Sequence, residues 1–162
     1  MNLEMLAQYK AWADRVFYEA ISNLPEEEIH RDRAMLFGNI FSLLNHVYAM
    51  DFVWKSHLLG IPHNLQTRNP THSISLTELQ QGQEKINEWF ENYAAELPSE
   101  KHQEIVRFKF IGGGDGQMKR SEIIQHVVNH ASYHRGHIEG VLYQMSVEPP
   151  TTDLPIFLRF IQ

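Results

Sequence analysis

Apolar residues recur every three or four positions in four long stretches of this chain, and turn-forming residues bound each stretch. That pattern leaves few options besides helices packed side by side. The first stretch runs from about Leu3 to Leu24, with Leu6, Tyr9, Ala13, Phe17, Ala20 and Leu24 on one stripe. Pro25 ends it, and Glu26 to Glu28 reads as a solvated connection. The second runs from about Asn39, a plausible N-cap, to Leu59, and stops at Gly60 and Pro62. The third runs from about Leu76 to Leu97, capped by Ser75, with Ile86, Trp89, Phe90 and Tyr93 as its apolar face. The fourth is expected to start at Ser121 as N-cap and to reach about Met145.

Between the third and fourth stretches the period changes. Ile105 to Ile111 alternates apolar and charged residues, then meets the glycine cluster Gly112 to Gly116, as a short hairpin arm would. No Lys-Ser or Lys-Thr follows in phosphate-loop register, so the glycines read as a turn. The tail from Ser146 to Gln162 carries three prolines and is expected to wrap over the helices, anchored by Ile156, Phe157, Leu158 and Phe160. The aromatic residues Tyr9, Trp12, Phe17, Trp54 and Trp89 sit at helical spacing and read as core. No repeat or linker divides the chain. The expected fold class is all-α, a four-helix bundle with a small β-like insert before helix four, as one domain over residues 1–162.

Composition narrows the function. The chain has no cysteine, which removes disulfides, thiolate metal sites and cysteine nucleophiles. Its formal charge is −6, with 14 basic residues scattered among 20 acidic ones, so nucleic acid is not an expected partner. The segment Met1 to Lys10 includes Glu4 and does not resemble a signal peptide. No segment approaches the roughly 20 apolar residues that span a bilayer, so no membrane is expected and cytoplasm is the default location. The chain is rich in one metal-ligating type, with ten histidines.

Four of these fall in the fourth stretch as His126, His130, His134 and His137. At about 100° per residue, all four lie within a stripe of about 80°. The stripe borders Val127, Ala131, Ile138, Val141 and Leu142, while Asn129, Ser132, Glu139 and Tyr143 take the far side. Histidines at i and i+4 can aim nitrogens at one ion, because one turn separates them by about 5–6 Å. The pair His130 and His134 is preceded by Asn129 and lacks the His-Glu of a metalloprotease helix. A third ligand is expected from a facing helix, and His46 lies among Leu43, Leu44, Val47 and Met50. Alone, His46 reads as a core histidine; opposite two histidines one turn apart, it reads as a ligand. His57 lies three turns further on, too far to share that ion, and reads as structural or surface. His30, His63, His72 and His102 fall in apparent loops and read as solvated.

These residues resemble the DinB/YfiT-like superfamily of bacterial metalloenzymes. The resemblance rests on Tyr9-Lys-Ala-Trp12-Ala13-Asp14, on Gly38-Asn39-Ile40 with Leu44-Asn45-His46, and on His126-Val-Val-Asn-His130-Ala-Ser-Tyr-His134-Arg135-Gly136. Pro150-Thr-Thr-Asp153-Leu154 in the tail is also similar, whereas His137 stands where the family commonly has glutamine. The resemblance implies an up-down-down-up bundle, often a homodimer, with His46, His130 and His134 holding one divalent ion. It makes His126 a pocket residue one turn before His130.

Three neutral imidazoles leave an ion an open position, which suits catalysis. The resemblance then implies a small-molecule substrate and S-transfer of a low-molecular-weight thiol such as bacillithiol, mycothiol or glutathione, with the ion stabilising its sulfur. The alternatives are hydrolysis of a small amide or ester, and a non-catalytic metal-binding or interaction bundle. Zinc or nickel is the expected ion, although imidazole accepts copper and iron as well.

Overall fold

The computed structural model describes residues 2–71 and 73–161. Six α-helices and one hairpin follow in the order α1 (Leu3–Ser22), α2 (Glu26–His30), α3 (Ile40–Leu59), α4 (Leu76–Glu96), β1 (Ile105–Lys109), β2 (Asp115–Lys119), α5 (Arg120–Gln144) and α6 (Leu154–Phe160). A single 3-10 turn, Ser99–Lys101, precedes β1. Asn2, Asn39 and Ser75 each cap a helix by accepting from a backbone N–H, and Glu78 completes a capping box with Ser75. Gly60 ends α3 at φ 68, a left-handed conformation that glycine adopts without a Cβ penalty.

Each long helix has a counterpart among the four periodic stretches, with differences that have physical causes. α1 stops at Ser22, and its inward face includes Ala7, Lys10, Asp14, Tyr18 and Ile21, while Leu6 and Ala20 are only half-buried. Apolar periodicity misplaces this face because two charged residues on it neutralise each other. Glu26 to Glu28 forms the first turn of the short helix α2, where acidic side chains complement the N-terminal end of the dipole. Glu28 pairs with Arg31 and Arg33, and Ile29 is buried beneath. Helix α5 begins one residue before Ser121, which is buried instead of capping. The cap position is Lys119, whose N–H donates to Glu122 Oε2 at 2.8 Å.

The two strands pair antiparallel, with Phe108 opposite Gly116. A Cβ at Gly116 would lie 2.4 Å from the Phe108 ring, so glycine is required there for that ring to lie across the hairpin. Gly112, Gly113 and Gly114 all have positive φ and form the tip.

Helices α1 and α3 each pack against both α4 and α5. One core cluster joins Phe17, Ile21, Ile40, Leu43, Leu79 and Ile138; a second joins Val53, Trp54, Phe90, Phe108, Ile123 and Val127. Phe108 thereby fastens the hairpin to α3 and α5. Phe17 and Trp54 are buried, whereas Tyr9, Trp12 and Trp89 are half-buried. The tail returns to α1 through Phe157, which packs on Tyr9 and Trp12 with ring centroids 5.9 and 5.6 Å away. Of the four expected tail anchors only Phe157 is buried. Ile156 and Leu158 are half-buried, and Phe160, one turn after Phe157, stays 72% exposed although its ring reaches Trp12 at 6.0 Å between centroids. Among the described residues, no helix is long and apolar enough to cross a membrane.

Candidate metal centre

Helix α5 carries His126, His130 and His134 on consecutive turns, and α3 presents His46 across from them. One nitrogen from each of His46, His130 and His134 falls within 4.8 Å of the others. His130 Nε2 lies 3.2 Å from His46 Nε2 and 3.0 Å from His134 Nε2. His46 and His134 are buried and His130 is half-buried.

The protonation state follows from the surroundings. His46 Nδ1 lies 2.7 Å from the carbonyl oxygen of Arg68. A carbonyl can only accept, so Nδ1 carries the hydrogen and Nε2 of neutral His46 is a bare lone pair facing His130. Burial pushes the pKa of all three rings below the ordinary histidine value. His130 is held down to about 2 by burial, reinforced by the charges of His134, His46 and His126. His134 falls to about 4 from burial and from His46 and His137. Burial also lowers His46, and the Arg68 charge adds to it despite the hydrogen bond that opposes it.

Three neutral imidazoles thus point lone-pair nitrogens at one another, and a single N–H on His130 can satisfy only one neighbour. A divalent ion resolves the conflict. Bonds of about 2.0–2.1 Å in tetrahedral geometry separate ligand nitrogens by about 3.3 Å, close to the two separations seen here. The donor set therefore fits such an ion. The backbone carbonyl on His46 Nδ1 is the kind of outer partner that orients a metal-ligating imidazole. Phe37 supports the same ring at 4.4 Å between centroids, from a backbone at φ 61 that is costly for a bulky residue. His130 Nδ1 has no such partner and is buried.

The nitrogens open into a cleft of about 640 Å³ between α3, α5 and the hairpin. His126 lines it half-buried, its ring 5.7 Å from that of His130, and burial lowers its pKa. His57 also lines this cleft, stacked on Phe108 at 4.9 Å, with burial and the His63 charge lowering its pKa to about 4. It is not one of the three converging histidines, yet it is a cleft residue, which linear distance along α3 had hidden. His63 and His102 are half-buried: His63 Nδ1 accepts from the Leu65 N–H, and His102 lies 3.3 Å from the Leu97 carbonyl. His30 is exposed at the end of α2, and His72 lies outside the described residues. His137 touches His134 through Nδ1 at 3.4 Å.

Next to the site lies a charged network that apolar patterning does not reveal. Lys10 Nζ donates to Asp14 Oδ2, Asp51 Oδ2 and Asn87 Oδ1 at 2.8, 2.7 and 2.6 Å. Arg135 Nη1 donates to Asp14 Oδ1 at 2.8 Å, and Gln83 Nε2 donates to Asp51 Oδ2 at 2.7 Å. All six residues are buried. Burial alone would push Lys10 down, but the carboxylates of Asp14 and Asp51 outweigh it and raise its pKa. Burial likewise works to raise Asp14, and Lys10 and Arg135 win, lowering it. Asp51 goes the other way, raised by burial against the pull of Lys10, and the network of two cations facing two carboxyl groups ties α1, α3, α4 and α5 together. Arg135 belongs to it and is the neighbour of His134, so the turn of α5 that bears the site is held from behind. The available signal was Asp51, the single acidic residue in the apolar sequence of α3.

Residues 1–161 match the model of the DinB family. The chain is also similar to Protein DinB of Bacillus subtilis (strain 168), at 28% identity over 163 residues, covering 94% of this chain and 91% of that relative. A family match of this extent, over helices that bring His46, His130 and His134 to one point, shows that the chain belongs to the DinB family.

Proposed function

We propose that this DinB-family protein holds one divalent ion, zinc or nickel, with His46, His130 and His134, and that it joins a low-molecular-weight thiol through its sulfur to a small-molecule substrate, the thiol giving up its proton and the substrate a leaving group as the new bond to sulfur forms. The observation that carries the reading is the convergence of three neutral imidazoles at the floor of an open cleft. A fourth protein ligand would mark a structural site, and none joins the cluster among the described residues.

When bound, the ion supplies a Lewis-acidic position that favours the deprotonated form of an entering thiol. The chain's own residues do the rest. Arg68 holds His46 in the tautomer that leaves Nε2 free. Arg135 fixes the turn of α5 that carries His134. To His126, half-buried in the cleft with its ring 5.7 Å from that of His130, this reading assigns the proton that the thiol loses. Trp54 and Phe110 form apolar walls that limit water. No carboxylate lines the cleft among the described residues, which favours thiol transfer over a hydrolysis that draws on a carboxylate base. The same reading takes the four long helices as an up-down-down-up bundle in one domain, acting as a homodimer in the cytoplasm; the packing of α1 and α3 on both α4 and α5 supports the bundle.

The test begins with metal content, measured on protein purified without a histidine tag or nickel column. About one ion per chain is expected for the wild type and none for His130→Ala/His134→Ala. Loaded protein is then assayed against thiol-transfer and ester or amide panels. Equal metal in both proteins overturns the ligand assignment, and turnover only of esters or amides replaces thiol transfer by hydrolysis.

A further inference from the structure

The cleft above the histidines has an uneven charge. The whole chain carries −6, yet no Asp or Glu lines this cleft among the described residues, and two cations, Arg68 and Lys109, do. They come from different elements. Arg68 lies in the loop between α3 and α4, and Lys109 is the last residue of β1. Both are exposed, and among the described residues neither forms an ion pair, although six pairs occur elsewhere. The walls beside them are aromatic or apolar, formed by Phe37, Trp54, Phe110 and Ile111. Phe110 is 53% exposed beside Lys109 and so offers a surface to a ligand.

A concave apolar site with a few convergent polar groups is the usual form of a small-molecule site, and its charged groups set orientation. Asp115 stands opposite Lys109 across the hairpin but among the described residues neither forms an ion pair with it nor lines the cleft, so the two cations favour anions there. We infer that the cleft selects a small organic anion, with a carboxylate seated on Arg68 and Lys109 and an apolar body lying between Trp54 and Phe110. This names the substrate class of the site proposed above and rests on that cleft being the substrate site. The arginine fork suits the two oxygens of a carboxylate, and the lysine adds a point charge from the hairpin.

The test uses metal-free protein in chelator at low salt, so that the ion cannot itself bind the carboxylate. The probes are 4-phenylbutyrate and its neutral amide, 4-phenylbutyramide, titrated by calorimetry. The carboxylate is expected to bind about tenfold tighter, the order given by two partly exposed ion pairs. In Arg68→Gln/Lys109→Gln the preference falls to about twofold or less. Added salt shrinks the wild-type preference and leaves the amide unchanged. Both side chains are exposed, so the variant is expected to keep wild-type helicity by circular dichroism, and each single variant gives an intermediate loss. Equal affinity for the two probes in the wild type, a preference that survives the double substitution, or no binding of either probe overturns the inference. Failure of the protein to take up zinc overturns the metal reading alone, because the metal-free comparison does not depend on it.

Discussion

At the level of single residues, the site is governed by neutral histidines. His130 near pKa 2 and His134 near 4 are depressed first of all by burial. The sign of the pH effect follows. Below about pH 6.5 the unfolded chain gains protons that these folded rings refuse. Folding stability is therefore fully present above 6.5 and is lost as pH falls toward 4. The melting temperature of metal-free protein should drop steadily from pH 7 to pH 4.5, and less steeply in His130→Ala; identical slopes in the two proteins would deny that the ring is neutral and buried. The same depression protects metal binding. Protons compete only below the folded pKa, so the midpoint for metal loss should lie clearly below pH 6.5 in a titration from pH 8 to pH 3.5. His57→Ala should leave that titration unchanged, since its ring lines the cleft without joining the three nitrogens.

Between elements, charge and shape do separate jobs. Lys10 is the hub through which α1 reaches α3 and α4, and all three of its ammonium hydrogens are used. Lys10→Met leaves two buried carboxylates facing one arginine, and should lower the unfolding free energy by about 3–5 kcal/mol in urea titrations. Lys10→Met/Asp51→Asn restores the charge balance and should recover most of that loss; a double variant no better than the single one would mean that packing, not charge, dominates. The hairpin depends on shape instead. Gly116→Ala drives a methyl into the Phe108 ring, which itself packs on Trp54 at 5.0 Å and on His57. A changed Trp54 emission with little loss of helicity is the expected readout, because the displaced ring packs on Trp54 and belongs to the hairpin, not to the helices.

For the whole molecule, metal and fold are linked by mass action. An ion that binds only the folded state raises the melting temperature, by an amount that grows with free metal concentration. Zinc at about 100 times its dissociation constant should add about 2.7 kcal/mol to wild-type stability and nothing to His130→Ala/His134→Ala. Unequal gains of this kind, measured by thermal scans with and without zinc, separate a specific site from loose binding at the other histidines. The three converging histidines bridge α3 and α5, which are far apart in sequence and packed together. Metal should therefore slow hydrogen exchange in both helices together.

Much of this arrangement was legible in the residues alone. Period and punctuation located the four long helices, the alternation of Ile105 to Ile111 located the hairpin, and the one-turn spacing of His130 and His134 marked the site, because these are local properties of a regular backbone. His46 was legible only as a histidine on an apolar face that needed a reason. What required the tertiary structure was non-local. Lys10, Asp14, Asp51 and Arg135 can be interior only as a set, since any one of them alone would be expelled by the cost of burying an unpaired charge. His57 entered the cleft because Phe108, some fifty positions later in the chain, folds back onto it. Phe160, in the last turn of α6, reaches Trp12 yet stays 72% exposed, which no spacing along the chain indicates. Spacing along the chain determined which side chains share a helix face; only packing between helices decided which charges are cancelled, which rings wall the cleft and which nitrogens meet.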